Sequence, residues 1–250
     1  MKTVDLVAYL DGYLRVAEVP DYPNALNGLQ VQNGGEATRI AAAVDASEQT
    51  ISEAAEAGCD FLVVHHGLFW DGNLPITGRR YRRIRALLDA GIALYSAHIP
   101  LDLHPGVGNN AVLARALGIE VQGGFGEFRG MELGVRGRLE LRREALAARL
   151  DELLGCRIKL VPGGKERVSS VGVITGGGGN MIASAIDAGL DAYITGEGAH
   201  HTYFDAMEGG INVYYAGHYA TETWGVRALA AHLEQRFDLP WTFLDAPTGL

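Results

Sequence analysis

The segment FLVVHHG, residues 61–67, restricts the fold of this chain more than any other, because an uninterrupted apolar run ends there in two adjacent histidines and a glycine. Its length and β-branched content predict a buried strand, since a strand covered on both faces needs no polar alternation. Ligands of open α/β sheets bind beyond the carboxyl ends of the strands. We therefore expect the functional site at the end of this strand, with His65 and His66 in it.

Strand and helix patterns alternate along the rest of the chain. The predicted strands include residues 39–45, 61–64, 92–97, 133–141, 157–161, 168–175, 192–195, 211–216 and 241–244. Helical periodicity between many of them predicts βαβ units and an α/β fold with mainly parallel or mixed sheets. A glycine-rich patch at residues 123–126 predicts a boundary between a first lobe, residues 1–125, and a second lobe, residues 126–250. We expect the C-terminal helix to pack back on the first lobe.

The chain contains an internal repeat. Residues 56–61, EAGCDF, correspond to residues 187–192, DAGLDA, and each segment closes a predicted helix and starts a strand. Residues 91–98, GIALYSAH, correspond to residues 210–218, GINVYYAGH, with one residue inserted. Because two such matches in the same order rarely arise by chance, we predict two related α/β halves. Their strand ends would face one shared cleft, and we expect the functional site in that cleft.

Histidines and carboxylates follow the predicted strands and indicate a metal site. Imidazole and carboxylate together bind zinc, iron, manganese or nickel, and a carboxylate can bridge two ions. His218 and Glu222 have the i, i+4 spacing that places both side chains on one face of a helical turn. Adjacent side chains on a strand diverge, so His65 and His66 would serve two ions about 3.5–4 Å apart more easily than one. We therefore predict a dinuclear centre in the cleft between the halves.

One carboxylate and two further histidines have structural interpretations. Asp102 follows His98 by four residues, just as Glu222 follows His218 in the other half. A role for Asp102 as a turn or cap residue is also open. We interpret His104 and His232 as hydrogen-bonded structural residues, because a single histidine near a strand end is more often structural than a ligand.

Two segments have open interpretations. The sequence TGGGGN, residues 175–180, either cradles a phosphate with its backbone N–H groups or packs closely against the neighbouring chain. It lacks the complete patterns of the known phosphate loops. The basic sequence RRYRRIR, residues 79–85, is either a solvated helix face or a rim that attracts a phosphorylated small molecule.

Composition excludes several classes of function. The net charge of −9, with no basic block beyond residues 79–85, argues against nucleic-acid binding, which needs a clustered positive field. No segment has the apolar length of a membrane span. Cys59 and Cys156 lack a pairing motif and are interpreted as small buried hydrophobes in a reducing compartment. We expect a cytoplasmic protein without a nucleic-acid or membrane partner.

The motifs together resemble the family of GTP cyclohydrolase I type 2 homologues, also called NGG-one interacting factor three-like proteins. The resemblance covers essentially the whole chain, in the compact form without an inserted domain. The matching segments are residues 27–31 (NGLQV), 65–67 (HHG), 98–102 (HIPLD), 195–197 (TGE) and 217–222 (GHYATE). Each motif is short, but five motifs in the family's order are specific.

The resemblance implies a homohexameric toroid with two divalent metal ions per chain. The implied ligands are His65, His66, Asp102, His218 and Glu222. The family name suggests ring opening of GTP, and we expect a metal-dependent hydrolase of a small nucleotide-like or heterocyclic substrate. The repeat places His98 and Glu197 near the cleft, so they are our candidates for proton transfer or for support of the ligands.

Two other functions stay open. The chain could form a non-catalytic metal-binding ring that buffers metal or serves as a docking or regulatory assembly. It could also bind a nucleotide at the glycine-rich loop without metal chemistry, although that hypothesis leaves the histidines unexplained. Metal analysis followed by a substrate screen separates these hypotheses.

Overall fold

The fold is α/β, and a computed structural model describes residues 1–249 of the chain. Its helices and strands, in chain order, are α1 (Thr3–Tyr13), β1 (Gly28–Val31), β2 (Ile40–Asp45), α2 (Glu48–Glu56), β3 (Phe61–His66), α3 (Gly78–Asp89), β4 (Ala93–Ser96), α4 (Ile99–Asp102), α5 (Asn109–Ala116), β5 (Glu120–Phe128), β6 (Met131–Arg142), α6 (Arg143–Leu154), β7 (Lys159–Pro162), β8 (Arg167–Val173), α7 (Ile182–Asp187), β9 (Ala192–Thr195), α8 (Thr202–Gly209), β10 (Asn212–Tyr215), α9 (His218–Phe237) and β11 (Trp241–Phe243). None of the described helices combines the length and the apolar character that a membrane crossing requires.

The chain divides into two compact units. Unit 1 comprises Met1–Val107 and Gly225–Ala246, and unit 2 comprises Gly108–Trp224 with the last residues from Pro247 onward. The boundary predicted between residues 125 and 126 falls inside β5, because the glycine-rich patch is part of a strand that pairs with β6. Unit 1 also includes the second part of α9 and strand β11, which pairs with β2.

Unit 1 is built on a five-stranded sheet with the order β1-β4-β3-β2-β11. Four of its strands are parallel, and β1 joins the edge of β4 in the antiparallel direction. Strand β3 is covered on both faces: Phe61 and Val63 pack into the core with α1 and α9, whereas Leu62 and Val64 pack with α2 and α3. This double coverage explains the uninterrupted apolar run and confirms the predicted strand.

Unit 2 is built on a six-stranded mixed sheet with the order β5-β6-β8-β9-β10-β7. The central strands β8, β9 and β10 are parallel, and the remaining pairings are antiparallel. Buried apolar side chains fill both faces of β9, where Ala192 and Ile194 contribute to one core cluster and Tyr193 to the other. Parallel strands buried on both faces are typical of sheets flanked by helices.

The internal repeat is visible in matching hydrogen bonds at the start of equivalent strands. The Asp60 carboxylate, just before β3, accepts from the backbone N–H groups of Thr38 and Arg39 at 2.8–3.2 Å. The Asp191 carboxylate, just before β9, accepts from the backbone N–H groups of Ser169 and Ser170 at 3.0 and 3.2 Å. In each unit, therefore, the repeated aspartate ties one parallel strand to the start of its neighbour.

Replacing Asp191 by asparagine should destabilise the protein. It should also make the free energy of unfolding depend less on pH in the acid range. Burial alone would raise the pKa of this carboxyl, but hydrogen bonds from Lys165 and Ser169 outweigh burial and lower the pKa to about 2. Because the pKa is depressed in the folded state, the stabilisation is present above the unfolded-state pKa and disappears as pH falls from about 4 to about 2. We expect a loss of about 2 kcal/mol at pH 7 in urea unfolding. Asp187→Asn, on an exposed neighbouring residue, is the control.

Candidate metal centre

The histidines at the end of β3 are held by carbonyl and carboxylate oxygens of unit 1. His65 is fully buried, and its Nδ1 lies 2.9 Å from the Ala97 carbonyl oxygen. His66 Nδ1 lies 2.9 Å from Asp45 Oδ1, at the end of the neighbouring strand β2. A hydrogen bond at Nδ1 fixes the orientation of an imidazole and directs Nε2 toward a metal. Both rings therefore have the support that metal-binding histidines require.

The two rings converge, contrary to the divergence expected for adjacent residues of a strand. Their centroids are 4.7 Å apart, and one nitrogen from each of His65, His66 and His98 lies within 4.8 Å of the others. Strand β4 pairs with β3 only as far as Val64, whereas the ladder with β2 continues to His66, so the two histidines lie at the end of a strand that is paired on one side. Three imidazoles thus form one cluster.

His98 follows β4 and completes the histidine cluster. Its Nδ1 lies 2.9 Å from Asp21 Oδ1, and its backbone N–H donates to Asn27 Oδ1 at 2.7 Å. Burial would raise the pKa of the Asp21 carboxyl, but its hydrogen bond and charge interaction with His98 lower that pKa. The ionised Asp21 carboxylate therefore anchors the His98 ring.

Asp102 lies on the short helix α4 that follows His98. Its carboxylate Oδ2 lies 3.7 Å from His65 Nε2, and both side chains are almost completely buried. A buried carboxylate beside a buried imidazole is stable only when charge is compensated, as by a metal ion or a proton. The position of Asp102 supports a ligand role beyond that of a turn residue.

Two residues of the NGLQV motif support this cluster from the preceding segment. Asn27 Oδ1 accepts a hydrogen bond from the His98 N–H, and Asn27 Nδ2 donates one to Asp21 Oδ2 at 2.7 Å. Gln30 Oε1 accepts from the Leu68 backbone N–H at 2.8 Å, just after Gly67. A Cβ atom at Gly67 would collide with the Gln30 amide and would force it out of the hydrogen bonds that hold it in place.

In unit 2, a second cluster forms around the first turn of α9. His218 Nε2 lies 3.2 Å from Glu222 Oε2, and His218 Nδ1 lies 2.9 Å from Glu197 Oε1, just after β9. Burial alone would lower the pKa of His218, but the two carboxylates raise it to about 9. The same negative field favours any cation bound at this cluster. The helix begins at His218, so the i, i+4 geometry predicted for His218 and Glu222 is present.

The glycine-rich loop packs closely against this second cluster. Gly176 has φ +66°, and a Cβ atom there would collide with the Glu222 carboxylate. The N–H groups of Gly176 and Gly178 donate to the hydroxyls of Thr221 and Thr195 at 3.0 and 3.1 Å. These N–H groups are engaged by the protein itself, so close packing describes this loop better than a phosphate cradle.

A pocket of about 360 Å³ adjoins Glu197 within unit 2. Its walls include the rings of Tyr203 and Tyr215 together with Lys159 and His200. The Tyr215 hydroxyl is hydrogen-bonded to Thr202 Oγ1 at 2.5 Å, and this bond fixes the position of the Tyr215 ring in the wall of the pocket. Its volume lies at the lower end of the range of about 300–1,000 Å³ that is usual for small-molecule pockets.

Two of the remaining histidines have packing roles in unit 1. The rings of His104 and His232 both pack against the ring of Tyr13, each with a centroid distance of 4.3 Å. His104 Nδ1 accepts from the backbone N–H of Val107 at 3.1 Å, and His232 Nε2 is hydrogen-bonded to the Tyr9 hydroxyl at 2.5 Å. These contacts agree with the structural interpretation of both residues.

The model of the Duf34/NIF3 (NGG1p interacting factor 3) family matches residues 1–248. The chain belongs to this family. A relative from Deinococcus radiodurans, named GTP cyclohydrolase 1 type 2 homolog, is 49% identical over 248 residues, which are 98% of this chain and 94% of that protein. Its name and the whole-chain match confirm the resemblance inferred from the five motifs.

Solved structures of similar proteins share the Duf34/NIF3 fold. A protein from Thermus thermophilus superposes with a TM-score of 0.91 at 43% identity, covering 100% of both chains. A protein called ybgI, described as of unknown function, superposes with a TM-score of 0.93 at 39% identity, again covering 100% of both chains. The mixed α/β architecture with two sheets is therefore that of the family.

The donor atoms of both clusters fit a divalent transition metal. Imidazole nitrogens and carboxylate oxygens are the ligands that zinc, iron, manganese and nickel accept. Unit 1 offers three clustered imidazoles and the Asp102 carboxylate, and unit 2 offers His218 with Glu222. Sequence reasoning missed the supporting acids Asp21 and Asp45, whose distance in sequence from the histidines left no local pattern.

Proposed function

We propose that this protein binds two divalent metal ions and hydrolyses a small nucleotide-like or heterocyclic substrate. The proposed ligands are His65, His66, Asp102, His218 and Glu222. The observation that supports the proposal best is the fully buried His65, with Nδ1 bound to a carbonyl and Nε2 facing the Asp102 carboxylate at 3.7 Å. Such an arrangement is typical of metal-binding histidines whose second nitrogen is fixed by the protein.

The reaction that these ligands suit is attack of water on a polarised carbon. Divalent ions held by these residues would supply Lewis acidity and would lower the pKa of water toward neutral pH. His98, fixed by Asp21, and Glu197, hydrogen-bonded to His218, are the proposed groups for holding or moving a proton. Each has a defined orientation, which general acid–base catalysis requires.

The pocket beside Glu197 supports the choice of substrate class. Tyrosine rings can stack on a planar heterocycle, and Lys159 can attract an anionic substituent. The names of the curated relatives refer to GTP cyclohydrolase, which also acts on a heterocycle. A small heterocyclic substrate that carries negative charge therefore fits the chemistry of this pocket.

The second candidate function is a non-catalytic metal-binding ring formed by self-association into a homohexamer. Helix α8 has large apolar side chains exposed on unit 2, with Tyr203 44%, Phe204 51% and Met207 39% accessible. Exposed apolar groups close together favour protein association. This observation supports a ring assembly, and such an assembly could also be the form of the enzyme.

Metal analysis followed by turnover assays tests the proposal. Purified protein loaded with zinc, iron, manganese or nickel should contain about two ions per chain. The loaded protein is then assayed for hydrolysis of GTP, other nucleotides and pterin-like heterocycles, and its mass is measured by light scattering. Two ions without any turnover would favour the binding ring, whereas less than one ion per chain would contradict both functions.

Replacing Glu197 by glutamine should separate proton transfer from metal binding. The amide retains the shape of the side chain and a hydrogen-bonding atom for His218, so metal content should stay near that of the wild type. Turnover should fall by roughly 10²–10⁴-fold, the usual contribution of a general acid or base. Asp205→Asn, on an exposed residue of α8, is the matched control. Wild-type turnover in Glu197→Gln would contradict the proposed role.

A further inference from the structure

Helix α3 carries five arginines, and four of them are engaged by neighbouring groups. Arg79 pairs with Asp71 at 2.7 Å, and Arg82 pairs with Glu48 at 2.7 Å. Arg80 donates to the carbonyl oxygens of Gly72 and Leu74. The fourth, Arg85, is bonded to Asp89 at 3.1 Å and to Tyr81 at 3.2 Å. These four residues form the solvated and self-compensated face that is one interpretation of the basic sequence.

Arg83 differs from the other four. Its Nε is buried and has no hydrogen-bond partner among the described residues. Within residues 1–249, its guanidinium also makes no ion pair closer than 4 Å. Partly buried charges in folded proteins are usually paired or hydrogen-bonded, because the loss of hydration is otherwise uncompensated. The guanidinium of Arg83 is therefore a partly buried cation to which no described residue is directly bonded.

The carboxylates around Arg83 act on it only at a distance, because none of them is bonded to it. Burial and the charge of Arg79 lower the pKa of Arg83, and the carboxylates of Glu48, Asp71 and Asp45 act in the opposite direction. Asp71 and Glu48 already pair with Arg79 and Arg82, and Asp45 is bonded to His66. An arginine stays protonated despite such shifts. No carboxylate of the described residues therefore occupies the guanidinium directly, and a ligand could do so.

Arg83 is linked to the strand ends of unit 1 by chain order and by a charge interaction. Helix α3 follows the loop that leaves His66 at the end of β3, and the charge of Asp45, at the end of β2, acts on Arg83. The planar guanidinium matches two oxygens of a phosphate or a carboxylate in one plane. A negatively charged group bound there would therefore lie beside the strand ends.

We propose that Arg83 is an anion-binding residue that recognises the phosphate group of a phosphorylated small molecule. This inference goes beyond the proposed hydrolase, since it concerns binding by unit 1 and requires no metal ion. It also assigns different roles to the arginines of α3: four are compensated by the protein, and one serves a ligand.

The test is a calorimetric titration of metal-free, full-length protein. The two ligands are inorganic phosphate and phenyl phosphate, and the ionic strength is kept constant. Arg83→Gln should weaken binding of phenyl phosphate by roughly 10- to 100-fold, the usual effect of losing a charge-assisted contact. Arg85→Gln, on the same helix, is the control and should bind like the wild type. Binding of inorganic phosphate alone would point to an adventitious ion and would overturn the proposal, as would equal losses in both variants.

A stability measurement distinguishes a ligand-binding arginine from a structural one. Arg83→Met removes a partly buried charge that has no protein partner, so its urea midpoint should equal or exceed that of the wild type. The same variant should lose binding of phenyl phosphate. A lower midpoint would assign Arg83 to the stability of unit 1. A change of oligomeric mass with unchanged phosphate binding would instead assign it to a carboxylate of a second copy, and either result overturns the proposal.

Discussion

Replacing His65 by alanine is expected to reduce bound metal from about two ions per chain to about one or fewer. His65 is fully buried with its Nδ1 bound to the Ala97 carbonyl, which fixes the position of Nε2, and alanine supplies no donor atom there. The Asp102 carboxylate would then lose its imidazole neighbour at 3.7 Å. Metal content measured by mass spectrometry after dialysis checks the prediction.

The control for His65→Ala is His201→Ala, which removes an imidazole from an exposed turn before α8. It should leave metal content unchanged. Because removal of His65 also opens a cavity, His65→Gln provides a second variant of closer volume, which should lose metal to the same extent. Full occupancy in both His65 variants would show that His65 is a core residue and not a ligand.

Gly176→Ala is expected to destabilise the protein by about 2–4 kcal/mol, through left-handed backbone strain and overpacking together. The added methyl group would collide with the Glu222 carboxylate and lie 3.2 Å from His218 Nε2. Glu222 is nearly fully buried, so its carboxylate has little space into which it can move. We also expect weaker metal binding, because the second cluster would be displaced. Urea unfolding and metal titration measure the two effects.

Gly189→Ala separates backbone strain from collision. Gly189 has φ +69°, close to the φ +66° of Gly176, but nothing lies within 4 Å of an added Cβ. Its alanine variant should therefore cost only about 1–2 kcal/mol and should retain metal. Equal destabilisation in the two variants, with equal metal content, would show that the loop does not press on the second cluster.

Long apolar patterns made the parallel strands predictable from sequence, but short or glycine-rich elements were missed. The sequence VVHHG predicted a buried strand with histidines at its end, and β3 has that form. Helix α9 begins at His218, so the helical turn predicted from the spacing of His218 and Glu222 is its first turn. Strand β5 contains the glycine patch that was interpreted as a boundary, since pairing with β6 overrides the low strand propensity of glycine.

The candidate site was predictable in part. His218 and Glu222 are four residues apart, and helical geometry alone brings them together. Asp21 and Asp45 escaped prediction because they reach His98 and His66 across 77 and 21 residues of sequence. The rings of His65 and His66 lie closer together than the divergence predicted for adjacent strand residues, with centroids 4.7 Å apart, although β3 remains paired with β2 up to His66.

The sequence by itself determined the alternation of strands and helices, the repeated aspartates before β3 and β9, and the types of ligand. Each of these follows from local periodicity or from the chemistry of a side chain. Only the tertiary structure decided which oxygen fixes each imidazole, that the glycine loop presses on Glu222, and that Arg83 alone among the arginines of α3 has no partner within residues 1–249. Such contacts join residues far apart in the chain, so they depend on how the strands and helices pack.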